Sequence, residues 1–162
     1  MVYFTWHRFN FAAALLFRAA PTERRPVLVM PDGLASRALT HESSTWLGFD
    51  SFVFHRRAPR SPRQQIIDFV RATGRPILNL PDAGGPYLRV KPGIVEIAVA
   101  CDAVLQPFIV RSRGVAVVGR TLQHVVPLPF CSLEALPGEP IDPAAATVDR
   151  CQRSLDELFV GA

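Results

Sequence analysis

Along the chain, short continuous apolar runs alternate with stretches whose apolar residues recur every three or four positions. The first kind reads as buried strand and the second as amphipathic helix. Val2–Thr5 is a β-branched and aromatic run, and Phe9–Phe17 has helical length and composition. A polar, proline-bounded connection from Pro21 to Pro26 leads to the apolar strand Val27–Met30, which ends at Pro31-Asp32-Gly33. Leu34–Leu47 reads as a second helix stopped by Gly48, and Phe49–Phe54 as a third strand. Ser61-Pro62-Arg63-Gln64 is a helix start, with Ser61 as cap, Pro62 in the first turn and Gln64 completing a capping box. That helix carries Ile66, Ile67 and Val70 on one face and ends at Gly74, before the strand Pro76–Leu80.

After the Pro81–Lys91 loop, Pro92 opens a helix with Ile94, Ile97 and Ala98 on its core face. Val104–Val110 is the next strand. Arg111-Ser112-Arg113-Gly114 reads as a turn, and Val115–Val118 either extends that strand or pairs with it. The pattern assigns no element to Thr121–Phe130. Ser132–Leu136 is expected as the last strand, and Asp142-Pro143 as the cap of a packing helix over residues 143–159, with Val148, Cys151, Leu155 and Leu158 on one side. Short apolar strands separated by helices predict an α/β fold: one domain over residues 1–162, its mostly parallel sheet flanked by helices on both faces.

Functional residues in such a sheet follow the strands at their carboxyl ends. Three polar segments do so: Trp6-His7, Pro31-Asp32-Gly33 and Pro81-Asp82 to Gly85. His7 has the chemistry of a general base, since neutral imidazole takes a proton from a hydroxyl near physiological pH; it could equally be a structural histidine beside Trp6. Asp32 is either functional or simply the cap of the helix that begins at Gly33. In the third segment Ala83-Gly84-Gly85-Pro86 removes side chains where a backbone could approach a ligand. Arg89 and Lys91 add cations, and Pro92-Gly93 starts a helix with free N–H groups. That combination suits a phosphate, and a tight surface loop would look the same. His41 and His55 are expected on solvated surface, and His124 falls where no element is assigned.

Composition narrows the classes. A hydrophobic fraction of 49% with 20% charged residues is that of a globular chain. The net charge is +4, and every basic residue in the Lys+Arg total except Lys91 is arginine. A GC-rich genome produces that bias, and so does a need to fork donors onto an anionic surface. The basic loop Arg56–Arg63 has no aromatic interleaving and no recognition-helix pattern, which disfavours nucleic acid and leaves an anionic membrane surface. Cys101, Cys131 and Cys151 are far apart with no CxxC pair, so they read as small buried apolar residues in a reducing compartment. Phe9–Phe17, between Arg8 and Arg18, is too short to span a bilayer and lacks the flanks of a signal peptide. A cytoplasmic location, peripheral at the inner face of the cell membrane, is the expectation. Nucleophile-elbow, dinucleotide-binding and P-loop motifs are all absent from the chain.

Several segments, in order, resemble the poorly characterised bacterial branch of the lysophospholipid acyltransferase superfamily, whose members carry a domain of unknown function. Tyr3-Phe-Thr-Trp6-His7 is similar to that branch's apolar strand ending in Trp-His, and Leu28-Val-Met-Pro-Asp32-Gly33 to its strand followed by Asp-Gly. Leu47-Gly48-Phe49 matches the Leu-Gly-Phe before the next strand. Ile77-Leu-Asn-Leu-Pro81-Asp82-Ala-Gly-Gly-Pro86 with Val90-Lys91-Pro92-Gly93 resembles the branch's Thr-Pro-Asp-Gly-Pro-Arg-Gly-Pro and Val-Lys-Pro-Gly block, its most specific feature. Leu105-Gln-Pro-Phe-Ile109, Pro127-Leu-Pro-Phe130 and Gly138-Glu-Pro-Ile141 recur in the same order.

The resemblance implies transfer of a fatty acyl group from an acyl thioester, carried by coenzyme A or acyl carrier protein, to a hydroxyl of a lysophospholipid or related lipid. No tightly bound cofactor and no metal is implied. His7 would be the base. Pro81, Asp82, Gly84, Gly85, Pro86, Arg89, Lys91 and Gly93 would form the loop that binds the acceptor's phosphate. The chain departs from the pattern in two places. The position five residues after His7, where the superfamily has an orienting Asp, is Ala12, which leaves Asp32 as a possible substitute. The family's Gly-Pro-Arg-Gly is Ala83-Gly84-Gly85, so Arg89 or Lys91 would replace the missing arginine. The resemblance also implies an N-terminal hydrophobic anchor, whereas this sequence begins almost at the first motif, as expected either of a soluble or peripheral member or of a trimmed start. A lipid- or acyl-carrier-binding module without turnover is the alternative these departures favour.

Overall fold

In the computed structural model, which describes residues 1–22, 25–32, 50–120 and 123–161, the apolar runs pair into one sheet. The helix expected over Leu34–Leu47, its stop at Gly48, and Gly33, His41 and Phe49 lie outside the described residues. The strands are β1 (Val2–Phe4), β2 (Val27–Pro31), β3 (Ser51–Phe54), β4 (Ile77–Asn79), β5 (Leu105–Val118) and β6 (His124–Pro137). They form a six-stranded sheet in the order β3-β2-β4-β1-β5-β6. All neighbours run parallel except β5 and β6, which are antiparallel. Val2, Phe4, Ile77, Leu78, Leu105 and Ile109 are fully buried along the central strands, as strands covered on both faces must be.

Four helices complete the described fold: α1 (Asn10–Arg18), α2 (Pro62–Thr73), α3 (Pro92–Ala100) and α4 (Val148–Val160). The β1-to-β2 connection travels toward the β3 edge, whereas β3-to-β4 and β4-to-β5 travel toward the β6 edge. Right-handed crossovers therefore put α1 on one face and α2 with α3 on the other. In agreement, α2 packs against α3, and α1 against β5 and β6.

Local chemistry explains the helix bounds. Ser61 Oγ accepts from the Gln64 N–H at 3.2 Å, Pro62 sits in the first turn, and Gly74 closes α2 in a left-handed conformation with its N–H on Val70 O. The capping box is only half formed, because the Gln64 side chain donates to Asp68 Oδ1 at 2.8 Å instead of reaching back. Asp142 caps only a short 3-10 turn, Pro143–Ala145. The backbone then extends at Ala146, and Thr147 caps α4 through the Arg150 N–H. Cys151 is buried as expected, and burial pushes its thiol up to about 11; Cys101 and Cys131 are only half-buried.

The largest departure is the β5–β6 hairpin. Residues Arg111–Gly114 do not turn, because the strand continues through a bulge between Arg113 and Val115, where Gly114 takes φ +72°. Of the segment left without an element, His124–Phe130 belongs to β6, as does the expected strand Ser132–Leu136, while residues 121 and 122 lie outside the described residues. Pro127, Pro129 and Pro137 break the alternating pattern, yet β6 is the edge strand, where a missing N–H leaves no ladder bond unmade.

Among the described residues no helix is long and apolar enough to cross a membrane. Because Ile77 is fully buried on β4, between two parallel neighbours, Ile77→Ala is expected to lower unfolding stability by about 2–5 kcal/mol, read as a fall in the urea midpoint at unchanged slope.

Candidate functional site

β1 and β4 are neighbours whose chains leave toward opposite faces, β1 into α1 and β4 into α3. Such a reversal opens a crevice beyond the carboxyl ends of the two strands. The residues there are Trp6-His7 from β1 and the 80–91 loop from β4.

His7 begins a 3-10 turn, His7–Phe9, that runs into α1, so its backbone N–H has no partner within the helix. Asp82 supplies one. The His7 N–H donates to Asp82 Oδ1 at 2.8 Å, and the Leu88 N–H donates to Oδ2 at 3.1 Å. This carboxylate is 1% exposed, so both bonds are shielded from water on the acceptor side. Asp82 therefore ties the glycine-containing loop to the histidine turn and has both oxygens engaged by backbone. Leu88, at φ 55°, is held again from α4: Gln152 Oε1 accepts from the Val90 N–H at 2.8 Å, and Gln152 Nε2 donates to Leu88 O at 3.1 Å.

A cleft of about 530 Å³ opens between this loop and the face covered by α2 and α3. Met30, Leu80, Ile66, Ile94 and Ile97 give it an apolar floor. His7, Arg56, Arg63 and Lys91 bring nitrogens to its lining, and no carboxylate side chain lines it among the described residues. Arg63 is held by Glu96. Lys91 Nζ donates to Ala83 O at 2.6 Å, which folds the loop back on itself. Gly84, at φ +80°, could not readily be another residue, and a side chain there would begin 3.9 Å from Lys91 Nζ.

The expected residues divide accordingly. Pro81, Gly84, Lys91 and Gly93 line the cleft with His7. Asp82 lies buried beneath it, while Gly85, Pro86 and Arg89 are outside its lining. Asp32 does not substitute for the missing partner of His7. Its Oδ2 contacts His55 Nδ1 at 3.2 Å and its Oδ1 accepts from the Arg56 N–H at 3.1 Å, and these bonds, the Arg56 backbone first, hold its carboxyl below the ordinary value. The pairing is local: β2 and β3 lie side by side, so their carboxyl ends meet each other. Ala12 is fully buried in α1.

Sequence reasoning missed His124, Gln152 and Arg56. His124 is the first residue of β6, and its ring meets that of His7 edge to face, centroids 5.2 Å apart. Burial lowers the His7 pKa below 6.5. The neighbouring His124 pushes the same way, Asp82 opposes, and Lys91 adds a smaller push downward. His124 is also lowered by burial, with the His7 backbone and Asp82 pulling the other way. His7 Nδ1 is buried and has no hydrogen-bond partner among the described residues. A neutral imidazole at the mouth of an apolar, cation-rimmed cleft can accept a proton from a bound hydroxyl. Among the described residues no group of His, Cys, Asp and Glu side chains could hold a metal ion.

Replacing His124 by Phe keeps an aromatic ring against His7 and removes the neighbouring charge. His124→Phe is expected to raise the His7 pKa toward 6.5, as followed by the imidazole proton shifts in an NMR pH titration.

No family model, curated protein or solved structure matches this chain significantly, so the chemistry of the cleft itself must support any functional reading.

Proposed function

We propose that this chain transfers a fatty acyl group from an acyl thioester of coenzyme A or acyl carrier protein to a hydroxyl of a lysophospholipid or related lipid, with His7 as general base. The observation that carries the reading is the imidazole of His7, its pKa lowered by burial, in the lining of an apolar cleft of about 530 Å³ that Arg56, Arg63 and Lys91 also line. An apolar chain fits against Ile66, Ile94 and Ile97, and an anionic head fits between Arg56 and Lys91. Gly93, at the start of α3, adds a helix N-terminus on the same side. The missing loop arginine is thus replaced by Lys91 from the loop itself and by Arg56 from the neighbouring strand end, while Arg89 stays outside.

The acceptor's oxygen attacks the thioester carbonyl carbon as His7 Nε2 takes the hydroxyl proton. Collapse of the tetrahedral intermediate breaks the C–S bond, and the imidazolium returns the proton to the departing thiolate. The products are an ester and a free thiol. Nδ1 must then carry the imidazole proton, and it lies buried with no acceptor among the described residues, at a cost of about 1–3 kcal/mol. That cost favours a second reading, a lipid- or acyl-carrier-binding module with slow or no turnover. In both readings the protein works at the inner face of the cell membrane, where lysolipid and thioester meet.

The assay is thiol release from a long-chain acyl thioester with lysophospholipid present. His7→Ala should lower the rate about a hundredfold or more. The wild-type rate should rise with pH through a midpoint below 6.5 and stay level above it, because the base is the neutral form and burial lowers its pKa. Release unchanged in His7→Ala removes His7 as the base. Binding of the thioester without any release selects the second reading.

A further inference from the structure

We propose that the bulge Leu128-Pro129-Phe130 on β6 is a wedge that seats this chain on an anionic lipid bilayer. The proposal concerns docking and does not depend on turnover at His7.

The hairpin register makes the bulge. Arg113 pairs with Ser132 and Val115 with Pro127, so on β5 only Gly114 lies opposite residues 128–131. The excess chain has no place in the ladder and is pushed off the sheet. Gly114 permits this through its φ of +72°, a conformation that residues with a Cβ rarely adopt. At the crest Phe130 takes φ 66°, a conformation a bulky side chain rarely holds, and its ring is fully exposed at 106%. Leu128 is 46% exposed, and Val117 and Val118 on the facing strand are 57% and 54% exposed.

An edge strand is usually protected by charge against pairing with another chain. Here protection comes from Pro127 and Pro129, which have no N–H to donate, and from the bulge itself, so a second copy cannot extend the sheet at this point. The exposed apolar crest therefore suits a partner that offers hydrocarbon and asks for no main-chain bonds. The same hairpin carries Arg113 and Arg120, both exposed and neither in an ion pair among the described residues, whereas Arg111 is paired with Glu134. Apolar side chains flanked by unpaired cations match the interface of an anionic membrane, with acyl chains below and phosphates above. Through His124 this hairpin also touches His7, so a bilayer seated on it lies within one hairpin's length of the cleft.

The test is co-sedimentation of the full chain with vesicles of phosphatidylcholine alone and of an equal mixture of phosphatidylcholine and phosphatidylglycerol. Wild type should bind the mixture. Leu128→Ser with Phe130→Ser should bind it about tenfold more weakly or worse, with an unchanged thermal midpoint because both positions are exposed. Arg113→Gln with Arg120→Gln should lose about tenfold on the anionic vesicles alone. Should the serine variant fail to fold, Phe130→Trp gives a second reading, since its added fluorescence should shift to the blue on the anionic vesicles. Wild type left in the supernatant, a folded serine variant that sediments like wild type, or unshifted Phe130→Trp emission overturns the proposal. So does a wild-type dimer that Phe130→Ser dissociates, which would make the occupant a second copy. None of these measurements involves thiol release, so failure here is separate from failure of the acyl-transfer reading.

Discussion

The buried carboxylate of Asp82 holds the site together. Its two oxygens accept the N–H groups of His7 and Leu88, residues far apart in the chain with β2, β3 and β4 between them. Without it, the first N–H of the histidine turn and the Leu88 N–H would both lose their acceptor, which costs about 1–3 kcal/mol for a buried donor and less at exposed Leu88, where water can replace it. With it, the position of the imidazole is set by the loop that follows β4, and Gln152 on α4 holds the far end of that loop. The histidine, the glycine-containing loop and the terminal helix thus form one braced unit.

This brace stands where the topology already opens a crevice, between β1 and β4, whose chains depart to opposite faces. The crevice continues into the apolar space between α2, α3 and the sheet, so one end of the cleft is greasy and the other carries nitrogens. Asp82 acts on His7 through the backbone and the local field, not through a bond to the ring. In acyl transfer the distinction matters, because a carboxylate on Nδ1 would both orient the imidazole and stabilise the imidazolium. The ring here is placed but not assisted, and His124 beside it discourages protonation further. For the proposed acyl transfer, this arrangement would make His7 a base of limited strength.

Much of this was legible in the sequence, for reasons that can be named. Parallel strands buried on both faces leave largely apolar runs, so Val27–Met30 and Pro76–Leu80 stood out. The rule that sites follow strands then pointed to His7 and the Pro81–Gly93 segment. What escaped depends on long-range register. Prolines hid β6, and with it the contact of His124 with His7, because an edge strand tolerates residues that break the strand pattern. Gln152 carries no local signal: a glutamine on the polar side of a helix is unremarkable until a loop backbone lies against it. Asp32 was misread because parallel-sheet geometry brings all carboxyl ends to one edge but does not say which ends touch, and β2 touches β3. Arg56 was read as part of a basic surface loop, although the β3 end delivers it to the cleft.

Native-state hydrogen exchange at the His7 and Leu88 amides tests the role of Asp82 most directly. In the wild type both amides should be protected well beyond exposed loop amides, and Asp82→Ala should release both together while leaving the β5–β6 ladder amides protected. Fast exchange of the His7 amide in the wild type, or protection of both amides that survives Asp82→Ala, would contradict the account.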